Sequence, residues 1–480
     1  MKPPTQQRLI SLGLIVVFFS SQVWATCGGG GGGGMGGMSG GSTREVYTVP
    51  WRLVQAADSV KEGLAVYWFP VSESEFKNSS LRESRTLQVY AQQCVTMGVV
   101  DARTPLGQKY VPDGKLPVAV IAQAADGTLV GKLESKDGKL KVGDLEKLLD
   151  NEMKKREESL KEKMESAKSK IKAGDNQGAI AELRAVYDQK CMFPKKAKDA
   201  QKELKKLGVE VAEVPDAPNM DPAVTARIEK TMRAGLAAEN AAKYSEAERF
   251  YKAARLVDPA DPTPVRFLGE LYRHHIGDWE RARQTFNELL AMPADPMSRA
   301  VALHGLGKMT IHEGEFKKGL ALMEDSVREY PLALAYRNLA VYWNSEGDNA
   351  KANYYTQEAL KLAPNDPYNV VFAAVFTAAG GHADEALKIA RENEKLLPAS
   401  YNLAAIYAQA GQKQKALTLL KRHFFQYERY DAVRSKEMME ARVDAVFASL
   451  MEDKQFMQLT SGADGKLPMR MSPNARPAGN

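Results

Sequence analysis

The feature that most constrains this chain is a recurrence in its second half. A proline-containing turn returns at Pro259, Pro331, Pro364 and Pro398. Between the turns the order is constant: a small residue inside one helix-forming stretch, a short turn, then Ala or Gly on the packing face of a second stretch. Gly235 with Ala247 and Ala254, Gly269 with Ala282, Gly307 with Gly319, Ala340 with Ala352 and Ala359, Ala374 with Ala386, and Ala404 with Ala416 fit one template of about 34 residues. Small residues there let two antiparallel helices approach closely. A single repeat of this kind cannot bury its own apolar face, so neighbours must stack into an all-α superhelix, a helical-hairpin solenoid.

The template resembles the tetratricopeptide repeat (TPR) family over residues 228–424. In AAKYSEAERFYKAARLVDP, which ends at Pro259, the tyrosine, the alanines and the terminal proline sit where that family puts them. The second repeat departs by an extra residue near Ile276 and Gly277, and its proline falls early, at Pro293. The solenoid is expected over 221–460, with a helix at 435–451 closing it and a polar tail at 461–480 that is too poor in apolar residues to order itself. Before it, 151–220 reads as a charged helix and a degenerate TPR-like hairpin. The interleaved Lys and Glu of LEKLLDNEMKKREESLKEKMESAKSKIKAG predict a solvated connector, the alternative being a coiled-coil face.

Residues 45–150 alternate in type. Strands are expected at 47–54, 64–69, 94–101, 117–123 and 128–134, with helices near 79–92 and 104–110 and a closing helix from Lys141; Asp126-Gly127 marks a hairpin. Strands alternating with helices describe a small α/β sandwich. This unit resembles the thioredoxin superfamily, most specifically in LGQKYVPDGKLPVAVIAQAADGTLVGKL, where Pro117 directly before a strand matches the family's cis-proline. Where that family carries Cys-x-x-Cys, this chain has Pro70-Val71-Ser72-Glu73-Ser74-Glu75, and two absent thiols cannot exchange a disulfide.

The chain has 480 residues, enough for two or three globular units. Its net charge of +6, from 66 basic and 60 acidic residues, is spread along the length and gives no argument for nucleic acid. Lys2 and Arg8, an apolar run at 9–19 and Val23-Trp24-Ala25 read as a signal peptide over 1–25, which places the protein outside the cytoplasm, in a bacterial periplasm or beyond. A glycine-rich linker follows at 26–44. Cys27 is a candidate for acylation, which would make the protein a membrane-anchored lipoprotein, although Trp24 and Thr26 depart from the usual box; cleavage after Ala25 that leaves a thiol is the alternative. No later segment reaches the roughly 18 apolar residues of a membrane span.

Chemistry-bearing residues are sparse. Cys94 and Cys191 fall in different units, so no structural disulfide is expected between them, and Cys94, at the start of a central strand, reads as a small buried hydrophobe. Ser72 and Ser74 lack a base, because all six histidines lie in the repeats. His274, His275, His304 and His312 have no nearby carboxylate or cysteine at ligand spacing, so no metal and no cofactor is expected. The resemblance to TPR proteins implies a concave groove lined by the first helix of each hairpin. The matching positions here include Arg266, Arg273 and His274, then His304, Lys308 and His312, then Arg337, Asn338 and Asn344, and finally Tyr368, Phe372, Tyr401 and Asn402. A basic, hydrogen-bonding stretch thus grades into an aromatic one, which suits an extended peptide with acidic groups and an apolar anchor. The expected function is an exported protein-interaction scaffold and not an enzyme; the alternative is a thiol-dependent oxidoreductase or peroxidase using Cys94.

Overall fold

The computed structural model describes residues 46–54, 63–135, 137–397, 400–427 and 431–464. The leader, the glycine run with Cys27, and the tail beyond 464 lie outside the described residues.

A five-stranded sheet is built from β1 (Arg52–Leu53), β2 (Leu64–Phe69), β3 (Val95–Val99), β4 (Val118–Gln123) and β5 (Leu129–Glu134), in the order β1-β3-β2-β4-β5. β1 and β2 run parallel to β3, whereas β4 is antiparallel to β2 and β5 to β4. Covered on both faces, β2 and β4 read as unbroken apolar runs, LAVYWF and VAVIAQ, instead of alternating. The Leu116–Pro117 peptide ahead of β4 is cis. Helices α1 (Glu73–Asn78), α2 (Arg85–Gln92) and α3 (Pro105–Tyr110) each begin at a hydroxyl cap, Ser72, Ser84 and Thr104, whose side chain accepts a backbone N–H of the first turn.

Two local expectations need correction. Only Arg52–Leu53 of the anticipated 47–54 strand joins the sheet, because Val46 and Tyr47 turn away and bury in the core of the repeats. Cys94 precedes β3 in a left-handed turn, φ 56°, and its carbonyl leaves no room for a side chain at Gly63, where a Cβ would lie 2.0 Å away.

α4 (Val142–Lys172) is one continuous helix. Its charges suggested a solvated connector, but its apolar residues recur every three, four or seven positions and are spent in two places. Leu145, Leu149 and Met153 complete the core of the sheet; Leu160, Met164 and Ala167 pack on α5 (Asn176–Tyr187) and α6 (Pro194–Lys206). The segment between α5 and α6 folds back so that Met192 enters the sheet core, and this brings Cys191 to Cys94: the two are disulfide-bonded, 97 residues apart. The expectation of unpaired cysteines fails because sequence distance hid this return of the chain. In this bond Cys94 is not a free thiol.

Six antiparallel pairs follow: α7 (Pro222–Asn240) with α8 (Tyr244–Val257), α9 (Pro262–Leu271) with α10 (Trp279–Ala291), α11 (Pro296–His312) with α12 (Phe316–Glu329), α13 (Ala333–Ser345) with α14 (Asn349–Leu362), α15 (Pro367–Ala379) with α16 (Ala383–Asn393), and α17 (Tyr401–Gln409) with α18 (Lys413–Arg422). The small residues sit where helices touch. A Cβ on Gly307 would meet the carbonyl oxygen of Gly319 at 2.8 Å, and one on Gly269 or Gly305 would meet the Phe286 ring at 2.5 Å. The extra residue of the second repeat is absorbed by a π-turn, Tyr272–Ile276, closed by Gly277 at φ 76°. At the far end α19 (Asp431–Val443), a 3₁₀ turn capped by Asp444, and α20 (Lys454–Leu459) bring Met438, Phe447 and Phe456 onto Leu420 and Phe424. The closing helix expected at 435–451 is interrupted at Asp444, whose carboxylate caps the next turn.

Candidate functional site

The first helices of the pairs form one face, and its two halves differ. On the N-terminal half, repeat carboxylates serve twice. Asp261 caps α9, one oxygen accepting the Thr263 amide at 2.9 Å, while its other oxygen accepts from Arg85 Nε at 2.8 Å and from the Tyr47 hydroxyl at 3.1 Å. Asp295 caps α11 through the Ser298 amide and accepts from Gln88 Nε2 at 3.1 Å with its second oxygen. Arg85, fully buried, also reaches Asp258 at 2.5 Å, the Asn219 carbonyl at 2.7 Å and Thr225 Oγ1 at 2.8 Å. Burial and the neighbouring Asp261 carboxylate push the Tyr47 hydroxyl well above its usual value. Residues 46–52 cross the same region: Arg266 donates to the Val46 carbonyl at 3.1 Å, Tyr330 to that of Trp51 at 2.7 Å, and Arg52 to that of Glu329 at 3.3 Å. The α/β unit is thus seated on the N-terminal ends of α9 and α11 and the C-terminal end of α12.

Beyond that seat runs a polar seam. Glu270 pairs with Arg273 at 3.1 Å and with His274 at 3.2 Å, and Arg273 contacts His274. His304 and Asn338 are hydrogen-bonded at 2.8 Å, joining α11 to α13. Arg337 donates to Asn369 and lies over the Tyr368 ring, joining α13 to α15. Burial opposes ionisation of Glu270, but Arg273 and His274 outweigh it and hold its carboxyl well below the usual range. Burial, with Arg273 alongside, pushes His274 down to about 4 and His304 well below its ordinary 6.5, so both imidazoles are neutral at pH 7. The charged groups of the seam are then the Glu270 carboxylate and the cations of Arg273, Lys308 and Arg337, a net positive site. Among the described residues the Lys308 ammonium has no hydrogen bond or ion pair.

Of the expected groove residues, Arg266 and Tyr401 are taken by the fold itself: the first by the Val46 carbonyl, the second, buried at the C-terminal cap, by Asp444 at 3.2 Å. Arg273, His304, Arg337, Asn338 and Phe372 are buried within the seam or beside it. His274, Lys308, His312, Asn344, Tyr368 and Asn402 stay half-exposed. Sequence reasoning missed Arg85 and Gln88. Their signal was two polar residues three apart on one face of α2, and, far along the chain, an Asp that precedes Pro262 and another that precedes Pro296. Among the described residues no group of three or more His, Cys, Asp or Glu is placed to hold a metal, and no helix is long and apolar enough to cross a membrane.

The paired helices, the stacking and the small residues at each crossing form a helical solenoid like that of tetratricopeptide repeats, and a tetratricopeptide repeat model matches residues 232–296. Proteins built this way bind other proteins and act as scaffolds. The chain is 25% identical to Protein CTR9 homolog of Arabidopsis thaliana, over 38% of this chain and 21% of that protein. It is 28% identical to Photosystem I assembly protein Ycf3 of Rippkaea orientalis, over 19% of this chain and 61% of that one. The chain therefore spans less than two thirds of either relative. A solved tetratricopeptide repeat protein from Parabacteroides merdae aligns with 63% of this chain and 99% of its own, at 16% identity and a TM-score of 0.31.

Proposed function

We propose that this protein is an exported interaction scaffold of the cell envelope, whose solenoid holds a protein or peptide partner along the half of the first-helix face that the α/β unit leaves open. The observation that carries this reading is the run of half-exposed polar and aromatic side chains, Lys308, Asn344, Tyr368 and Asn402, along successive first helices beyond the seat. The unpaired Lys308 ammonium beside a net positive seam favours a partner with acidic groups, and Tyr368 offers an aromatic surface for an apolar anchor. The leader-like residues 1–25 support export, and Cys27 is the candidate point of lipid attachment.

The α/β unit reads as a redox-inactive thioredoxin-like domain. The strand order, the antiparallel β4 and β5, and the cis Leu116–Pro117 peptide support that reading, as does a Pro70–Glu75 segment without cysteine. Its role is to seat the solenoid and, in this reading, to offer a second binding surface instead of exchanging disulfides as an enzyme.

The test is capture of partners from envelope extract by the mature chain and by a Lys308→Glu, Asn344→Ala, Asn402→Ala variant, none of whose residues is buried. A partner that binds the first and not the second, with unchanged circular dichroism, supports the reading. Partners retained equally by both would move the binding surface elsewhere, and insulin-disulfide reduction by the chain would refute the redox-inactive assignment.

A further inference from the structure

The Cys94–Cys191 bond lies between two separate apolar cores. One is the sheet core with Leu145, Leu149 and Met153 of α4; the other is the three-helix core of Leu160, Met164 and Ala167 with α5 and α6. Among the described residues only Phe193 packs against both. Between them, residues 154–159 of α4 bury nothing fully, and the far end of the three-helix unit is held separately, where the Asn219 amide and carbonyl meet Asp258 and Arg85. The three-helix unit is therefore tethered at both ends and fastened in the middle by one side-chain plug, Met192 with Phe193, one partly exposed ion pair, Lys196 of α6 with Glu157 of α4 at 3.3 Å, and one covalent bond. Residue Cys191 is exposed and Cys94 half-buried, so the bond lies near the surface on its Cys191 side.

We propose that this disulfide is an exchange site for an external dithiol, and that its reduction frees the three-helix unit to move on the sheet domain while both remain folded. A thiolate of the dithiol attacks Sγ of Cys191, the sulfur–sulfur bond breaks, and Cys94 leaves as a thiolate that takes a proton from water. The second thiol of the reductant then closes on the mixed disulfide, releasing Cys191 as a thiol. The chain gains two electrons and two protons, and the dithiol becomes a disulfide. The physical reason that movement follows is the small shared surface: each core keeps its own apolar contacts, and only Phe193 spans the gap. This inference concerns the chain's own hinge and is independent of what the solenoid binds.

The experiment uses the full chain with pre-existing free thiols blocked, then dithiothreitol under native conditions, maleimide labelling and hydrogen exchange read by mass spectrometry. The expected result is labelling of Cys94 and Cys191 without unfolding, with exchange faster by about tenfold or more at 154–159 and 192–196 and unchanged at 64–69 and 118–123. A Cys94→Ser, Cys191→Ser variant should show the same pattern without reductant. Labelling that appears only on global unfolding would overturn the proposal, as would a reduced chain that exchanges like the oxidised one or one whose sheet unfolds.

Discussion

The same capping position is used differently along the solenoid. Asp261 and Asp366 each stand one residue before a helix-opening proline, and each gives one carboxylate oxygen to the first amides of its helix. At Asp366 the task is local. At Asp261 the second oxygen receives a buried arginine and a buried tyrosine from a domain more than 170 residues away in sequence, at separations of 176 and 214. The lesson is that docking was added to carboxylates that capping had already fixed in place. An N-cap Asp has two oxygens, and the helix needs only one of them.

This contrast can be broken most severely at Arg85. Arg85→Ala should cost about 3–5 kcal/mol in denaturant unfolding, because Asp258 and Asp261 would stay buried without their cation. A loss below about 1 kcal/mol would mean that the seat is not held by charge. Asp261→Ala and Asp366→Ala then sharpen the difference. The second should cost about 1 kcal/mol, an ordinary cap, and the first clearly more, about 3 kcal/mol, since it strands part of Arg85. Equal costs would erase the distinction between the two halves.

Acid should act on the seam. Because the folded protein holds His274 and His304 below 6.5, the unfolded chain binds their protons first as pH falls. Their contribution is complete above pH 6.5 and is lost as pH falls, for His274 progressively toward about 4, so the melting temperature should drop below pH 6.5. A His304→Asn variant should show a shallower drop; an identical slope would assign the acid sensitivity elsewhere. The smallest effect is expected at Lys308, where Lys308→Glu should change stability by no more than about 0.5 kcal/mol while weakening an acidic partner.

Much of this architecture was legible because it is local or periodic. The small residues at Gly269, Gly307 and Gly319 announced close helix crossings, and the apolar runs at 64–69 and 117–123 announced strands. The extra residue near Gly277 announced an irregularity, though not that a π-turn would absorb it. The candidate site was less legible. Register placed Lys308 and Asn402 on first helices, where both stay half-exposed, but it could not show that Arg266 and Tyr401 point into contacts the chain makes with itself. Periodicity says which face of a helix looks inward, not what arrives there.

By itself, then, the sequence determined the repeats, the strands, the caps and the absence of a cysteine pair after β2, since each depends on neighbours a few residues away or on a period. Only the tertiary structure decided that Val46 and Tyr47 leave the sheet for the solenoid, that Arg85 finds two aspartates, and that Cys191 returns to Cys94. Each of these joins residues from 97 to 220 positions apart, and no local propensity encodes such a meeting. It follows from how whole elements pack when separate apolar faces must be buried at once.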